Sequence, residues 1–213
     1  MDKQKNKYYY LKGIKNGMPI CLGYLAVSFT LGITARNAGM TAWQAMLTSL
    51  ACNASAGQYA GFTVIAAGGS YFEMILMELV ANARYLLMSC SLSQKFSSET
   101  GLLHRMLVGY DVTDEIFGVA VSEPGKLNPF YNYGMMTVAI PGWSLGTFFG
   151  VIMGNILPAN IVSALSVGLY GMFLAIIIPP ARKSKVIAAL VTISMVSSYI
   201  FSRLPVISNI SSG

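Results

Sequence analysis

Charged residues are scarce in this sequence. They make up 10% of its 213 residues, against about 25% in an ordinary soluble domain, and 54% of the residues are hydrophobic. The mean hydropathy is +0.59. This balance argues against a soluble globular protein, and it leaves enough apolar chain for several membrane spans of about 20 residues each.

Histidine and cysteine are scarce as well. The single histidine, His104, lies in a polar link, and the three cysteines, Cys21, Cys52 and Cys90, all lie in apolar segments. Neither arrangement indicates a metal site or a disulfide framework. The sequence also lacks HExxH, GxSxG, P-loop and GxGxxG patterns. We therefore expect no enzyme activity, no cofactor and no bound metal.

Basic residues cluster at two places along the chain. Five lysines fall within residues 1–15, and Arg182, Lys183 and Lys185 form a second group. Both clusters flank apolar runs, as cytoplasmic loops of membrane proteins do. Despite the net charge of +6, the distribution favours membrane topology over nucleic-acid binding. It predicts a basic cytoplasmic segment over residues 1–15, without a removable signal peptide.

The apolar segments predict an all-α protein, a polytopic transmembrane helical bundle of about seven spans. They form a single domain over residues 16–203, followed by a short polar tail over residues 204–213. The predicted spans cover roughly residues 17–35, 41–67, 71–92, 102–121, 130–154, 161–178 and 186–202. The fourth is weakly apolar and could span the membrane, re-enter it or lie on its surface. Seven spans fit better than six because they return the second basic cluster to the side of the first.

Two segments resemble each other and suggest an internal repeat. Each has a proline, then a glycine next to an aromatic residue, then a short stretch ending in glycine. The pattern occurs first as Pro19, Gly23-Tyr24 and residues 28–32, and again as Pro141, Gly142-Trp143 and residues 147–150. Paired segments of this kind often mark a transporter binding site. If the chain has seven spans, the two segments run in the same direction and the repeat is parallel. An inverted repeat requires that the fourth segment does not cross the membrane, or that the second span breaks into two half-helices.

The third predicted span carries three polar residues, Glu78, Asn82 and Arg84, near its middle. Such residues are costly at membrane depth and usually face a bundle interior or a watery cavity. Helical spacing places Glu78 and Asn82 on one face and Arg84 on another, so a regular helix does not pair Glu78 with Arg84. In one interpretation each finds a structural partner on a neighbouring helix. In the other, Arg84 holds a substrate carboxylate and Glu78 exchanges a coupling proton.

The second predicted span is rich in small residues around Asn53, Ser55 and Gln58. Gly57 and Gly61 form a GxxxG pair, which favours a close helix crossing. The alternative is an unwound segment whose free backbone groups, with the three polar side chains, bind the two charged ends of a substrate.

Three acids, Asp111, Asp114 and Glu115, fall within five residues of the fourth segment. On a helix Asp111 and Glu115 share one face and repel each other when both are charged. They are therefore candidates for proton exchange, unless the segment is a solvated helix start with Asp111 as its cap.

At these residues the chain resembles the AzlC-type branched-chain amino acid permeases, over most of its length. The matching pieces are Gly17-Met-Pro19 with Gly23-Tyr24 and residues 29–32, residues 54–59, Asn82-Ala-Arg84 with Ser91-Leu92, and Thr113-Asp114-Glu115 with Phe117. There are departures: the family often has histidine where Tyr85 stands, proline where Ala26 stands and glycine where Ser28 stands. The first departure leaves any proton role to Glu78 and the acids of the fourth segment.

The resemblance implies a bacterial inner-membrane protein with a cytoplasmic N-terminus. It implies proton-driven export of branched-chain or similar hydrophobic amino acids, together with a small hydrophobic AzlD-type membrane subunit. On this interpretation Arg84 and Asn82 hold the substrate carboxylate, Gln58 and Asn53 hold its amino end, and Asp114 or Glu115 exchanges protons. The alternatives are a non-transporting membrane subunit or an exporter of a different small metabolite.

Overall fold

The chain divides into two compact units, Met1–Met172 and Phe173–Gly213, in a computed structural model. The structure describes residues 3–154, 156, 160, 174, 177–179, 181–182 and 184–203. The first unit contains α1 (Lys3–Asn37), α2 (Ala42–Cys52), α3 (Ser55–Ala66), α4 (Tyr71–Lys95), α5 (Leu102–Gly109), α6 (Asp114–Val121) and α7 (Pro129–Met153). The second unit contains α8 (Lys185–Arg203). The prediction of an all-α membrane helical bundle is confirmed.

Three of the described helices, α1, α4 and α7, are long and apolar enough to cross a membrane. Half of the most apolar stretch of α1 and of α7 is buried inside the protein, but only 6% of that of α4. The faces of α4 therefore suit contact with lipid or with another apolar helix. Most of the predicted span 161–178 and the whole predicted tail 204–213 lie outside the described residues.

The helices α1 and α7 form the centre of the first unit and run parallel. Gly13 contacts Gly134, and further along both helices Gly32 contacts Gly150. A Cβ atom at any of these four glycines would overlap the facing backbone, so the close approach requires glycine. The rings of Tyr24 and Trp143, which correspond in the suggested repeat, meet edge to face at 5.3 Å. The repeat itself stays a prediction.

The second predicted span is divided into α2 and α3. Thr41 begins α2 with a capping box, its hydroxyl accepting from Gln44 N. Asn53 ends it in the left-handed conformation at φ 44°, which asparagine tolerates better than most residues. Ala54 is extended, and α3 begins at Ser55 without a side-chain cap. The break is therefore confined to Asn53 and Ala54, because Ser55 is already helical.

The fourth segment is divided in the same way. The helix α5 ends at Gly109, and α6 begins at Asp114. The hydroxyl of Thr113 accepts from Ile116 N and caps α6. The alternative in which Asp111 caps a solvated helix start is wrong, since Asp111 is buried two residues before the capping residue.

Candidate functional site

The two helix breaks meet in the interior of the first unit. The side-chain amide of Asn53, in the α2–α3 break, donates to Asp111 Oδ1 in the α5–α6 break. Asn53 is 5% exposed and Asp111 is 1% exposed. The hydroxyl of Tyr110 donates to the carbonyl oxygen of Leu50 and joins the same two segments a second time. The sequence predicted polarity in both segments; the structure places the two against each other.

A tyrosine from α1 completes this cluster. The hydroxyl of Tyr24 lies 2.5 Å from Thr113 Oγ1 and 2.7 Å from Glu115 Oε2. Glu115 and Tyr24 are both buried. Sequence reasoning assigned no site role to Tyr24, although the Gly23-Tyr24 pair was among the pieces of the family resemblance. We call Tyr24, Asn53, Asp111, Thr113 and Glu115 the break cluster.

Gln58 lies in a second buried chain of hydrogen bonds between α2, α3 and α7. The indole N–H of Trp143 donates to Gln58 Oε1 at 2.9 Å, and Gln58 Nε2 donates to Ser49 Oγ at 2.5 Å. Ser49 Oγ donates in turn to Thr147 Oγ1 at 2.7 Å. Both amide atoms of Gln58 thus have protein partners, and each keeps one further hydrogen-bonding site: a second lone pair on Oε1 and a second N–H on Nε2.

Glu78 and Asn82 lie on the face of α4 that packs against α3. Asn82 Nδ2 donates to Glu78 Oε2 at 2.7 Å, one helical turn away. Both side chains fill the space left by Gly57, and Glu78 also reaches Gly61. The structure contains the close crossing of the first interpretation and a helix break as in the second, while substrate binding at the break stays a prediction. The GxxxG pair makes a close crossing with α4, and the backbone is irregular just before it.

Arg84 lies on a different face of α4, as helical spacing predicts, and it pairs with α6. Its guanidinium is 2.9 Å from Asp114 Oδ2, with the two side chains 47% and 32% exposed. It also lies over the ring of Tyr85, 5.4 Å from the ring centre.

The structure brings eight of the nine predicted site residues to the contacts between α1, α2, α3, α4 and α6. Ser55, the remaining one, is exposed at the first position of α3. Within the described part of the chain, no group of three or more histidine, cysteine, aspartate or glutamate side chains could hold a metal ion. The arrangement offers one cation, several amides and four carboxyl groups in a largely apolar setting, which suits binding of a small zwitterion.

Comparison with known proteins identifies the family of this chain. The family described as AzlC protein matches residues 19–157, which is more than half of the sequence. The chain belongs to the AzlC family. The matched range includes both helix breaks, all nine predicted site residues, and Tyr24 and Trp143.

Several relatives of this AzlC protein are membrane proteins. An uncharacterized membrane protein of Archaeoglobus fulgidus is 30% identical over 182 residues, covering 84% of this chain and 80% of that protein. The inner membrane protein YgaZ of Escherichia coli K12 is 26% identical over 150 residues, covering 68% and 61%. An uncharacterized membrane protein of Helicobacter pylori is 24% identical over 153 residues, covering 68% and 66%. No solved structure matches the chain. Family and apolar helices together make it a membrane protein, and they are consistent with a membrane transporter subunit.

Proposed function

We propose that this AzlC-family chain is the large subunit of a two-component permease that exports branched-chain or similar hydrophobic amino acids. The proton motive force drives the export. The observation that carries the proposal is the Arg84–Asp114 pair between α4 and α6. An arginine is retained in the middle of an apolar helix only at considerable cost, and its partner here is a carboxylate that a substrate carboxylate can replace.

Arg84 and Asn82 are the proposed ligands of the substrate carboxylate. The planar guanidinium binds a carboxylate through two parallel N–H donors. The exposed position of Arg84 leaves donors free to do so. The start of α3 at Ser55 lacks a side-chain cap, so its first N–H groups add a further site for an anionic group.

Asn53 and Gln58 are the proposed ligands of the amino end. The amide groups of both residues lie inside the protein. An amide oxygen has two acceptor sites, so it accepts from an ammonium group as well as from a protein donor. The apolar faces of α1 and α7 are available for the aliphatic side chain. Hydrophobic contact of this kind distinguishes leucine from a polar amino acid, but it discriminates only weakly between aliphatic amino acids of similar size.

Proton coupling follows from charge balance at the Arg84–Asp114 pair. When a substrate carboxylate takes the place of Asp114, this residue loses its cationic partner in an apolar setting. A charged group left unpaired there is costly, and a proton removes the charge. We assign proton exchange to Asp114 and its neighbour Glu115, with Asp111 and Glu78 as the further carboxylates of the path.

A small hydrophobic AzlD-type subunit is the proposed partner, in a bacterial inner membrane with the N-terminus of this chain on the cytoplasmic side. The apolar stretch of α4, of which only 6% is buried, supports the presence of a membrane partner or lipid there. The five lysines at the start of the chain support the orientation.

The test is transport of radiolabelled leucine, valine and methionine in proteoliposomes, with and without the small subunit and with an imposed pH gradient. We expect counterflow that requires the small subunit and accumulation that follows the gradient. Absence of flux for all three amino acids with both subunits present would contradict the proposal. It would favour a different metabolite or a non-transporting subunit.

A further inference from the structure

Two buried oxygen atoms at the junction of the helix breaks lack a hydrogen-bond donor. Asn53 Nδ2 donates to Asp111 Oδ1. The other oxygen of each side chain, Asn53 Oδ1 and Asp111 Oδ2, is buried and has no partner among the described residues. Buried polar atoms are nearly always paired, and here two unpaired acceptors belong to two groups that already touch.

One proton satisfies both atoms. A protonated carboxyl group has an O–H donor that the carboxylate lacks. With the proton on Asp111 Oδ2, this group donates to Asn53 Oδ1 while Asn53 Nδ2 donates to Asp111 Oδ1. The result is a cyclic pair of an acid and an amide, joined by two hydrogen bonds.

The surroundings of Asp111 also favour a neutral side chain. The charged and titratable groups that face it are Glu115 from α6, Tyr24 from α1 and Tyr110 beside it on the link. None of them is cationic, and within the described ranges Asp111 forms no ion pair. The C-terminal ends of α2 and α5 adjoin the junction, and a helix C-terminus carries partial negative charge.

We propose that Asp111 and Asn53 form a proton-operated junction, in which a proton held between Asp111 Oδ2 and Asn53 Oδ1 fastens the α2–α3 break to the α5–α6 break. Release of this proton to water leaves a carboxylate oxygen against an amide oxygen, and one of the two hydrogen bonds is lost. The two breaks then separate. Because each break lies between two half-helices, their separation changes access to the polar interior. The role in transport rests on the proposed function, but the presence of the proton does not.

Infrared difference spectroscopy of the purified full-length chain tests the junction directly. A protonated carboxylic acid has a carbonyl band that a carboxylate lacks. At neutral pH we expect this band in the wild type, its loss in Asp111→Asn and its retention in Glu99→Gln, where Glu99 is an exposed loop residue. The band should also shift in Asn53→Gly, which keeps the left-handed backbone but removes the amide. A wild type without the band, a band that Asp111→Asn leaves unchanged, or a band that Asn53→Gly does not shift would overturn the proposal.

A transport measurement tests the coupling role. In proteoliposomes with both subunits, Asp111→Asn should accumulate at least about tenfold less leucine than the wild type under a pH gradient. Glu99→Gln should accumulate as much leucine as the wild type. Normal accumulation by Asp111→Asn would overturn the coupling role. If the infrared band behaves as expected but no amino acid is transported by the wild type, the proposed function fails and the junction stands.

Discussion

Arg84 in α4 and Asp114 in α6 lie with Nη2 and Oδ2 2.9 Å apart, and both side chains are partly exposed. A purely structural ion pair depends on opposite charges, and either helix can supply either sign. A carboxylate-binding site depends on where the cation stands. The two roles therefore respond differently to an exchange of the two residues.

The charge exchange Arg84→Asp with Asp114→Arg separates these roles. We expect Arg84→Asp alone to abolish leucine counterflow, and we expect the double variant to insert and fold but to stay inactive. Arg84→Ala should lower the rate by about ten- to hundredfold, which corresponds to about 1.5–3 kcal/mol for a hydrogen bond to a charged group. Arg36→Lys, at the end of α1, serves as the control and should transport normally. Full recovery in the double variant would reduce the pair to a structural contact.

The glycine contacts between α1 and α7 predict a position-specific loss of stability. A Cβ atom at Gly32 would meet the backbone of Thr147 and Gly150. Gly32→Ala should therefore lower the free energy of unfolding by about 1–3 kcal/mol or more, because backbone atoms cannot move aside as a side chain does.

The control for this prediction is Gly109→Ala. Gly109 is helical, and a methyl group added there would have no neighbouring atom within 4 Å. Alanine is the better helix former by about 1 kcal/mol, so this variant should be neutral or slightly stabilised. Thermal unfolding in detergent measures both variants, and equal effects at the two positions would contradict the parallel packing of α1 and α7.

The hydrogen-bond chain through Gln58 predicts a second stability effect. Gln58→Leu leaves the indole N–H of Trp143 without its acceptor and Ser49 Oγ without a donor. A buried group left unpaired costs about 1–3 kcal/mol. Gln94→Leu, at an exposed position of α4, should change stability by no more than about 0.5 kcal/mol. Trp143 fluorescence in a Trp43→Phe background reports the unfolding, and an unchanged midpoint in Gln58→Leu would show that the chain of bonds does not form.

The break at Asn53 was predictable in part from the sequence, because small and polar residues there interrupt an apolar run that is too long for one regular span. The break between α5 and α6 was not predicted, since the fourth segment was treated as one helix with Asp111 and Glu115 on the same face, whereas Asp111 lies outside α6. The sequence correctly placed Glu78 and Arg84 on different faces of α4, since helical geometry alone determines this.

The contacts between elements were not predictable in the same way. Tyr24 reaches Glu115 across 91 positions of the chain, and no local pattern specifies which helix a tyrosine hydroxyl meets. The cap of α6 at Thr113 instead of Asp111 depends on the burial of Asp111 against Asn53, which is a tertiary contact. The pairing of Gly13 with Gly134 also required the structure, although each glycine taken alone is typical of a close helix approach.

Recognition of the substrate carboxylate by Arg84 is the central claim, and competition measures it most directly. Counterflow of labelled leucine is recorded with both subunits present, and two compounds are added as competitors. One is unlabelled leucine, and the other is 3-methylbutylamine, which has the same aliphatic group and amine but no carboxylate. In the wild type we expect unlabelled leucine to inhibit the counterflow at a concentration at least about tenfold lower than the amine requires. Any residual transport by Arg84→Ala should be inhibited equally by the two compounds. Equal competition by leucine and the amine in the wild type, or an undiminished preference in Arg84→Ala, would contradict the assignment of Arg84 to the carboxylate.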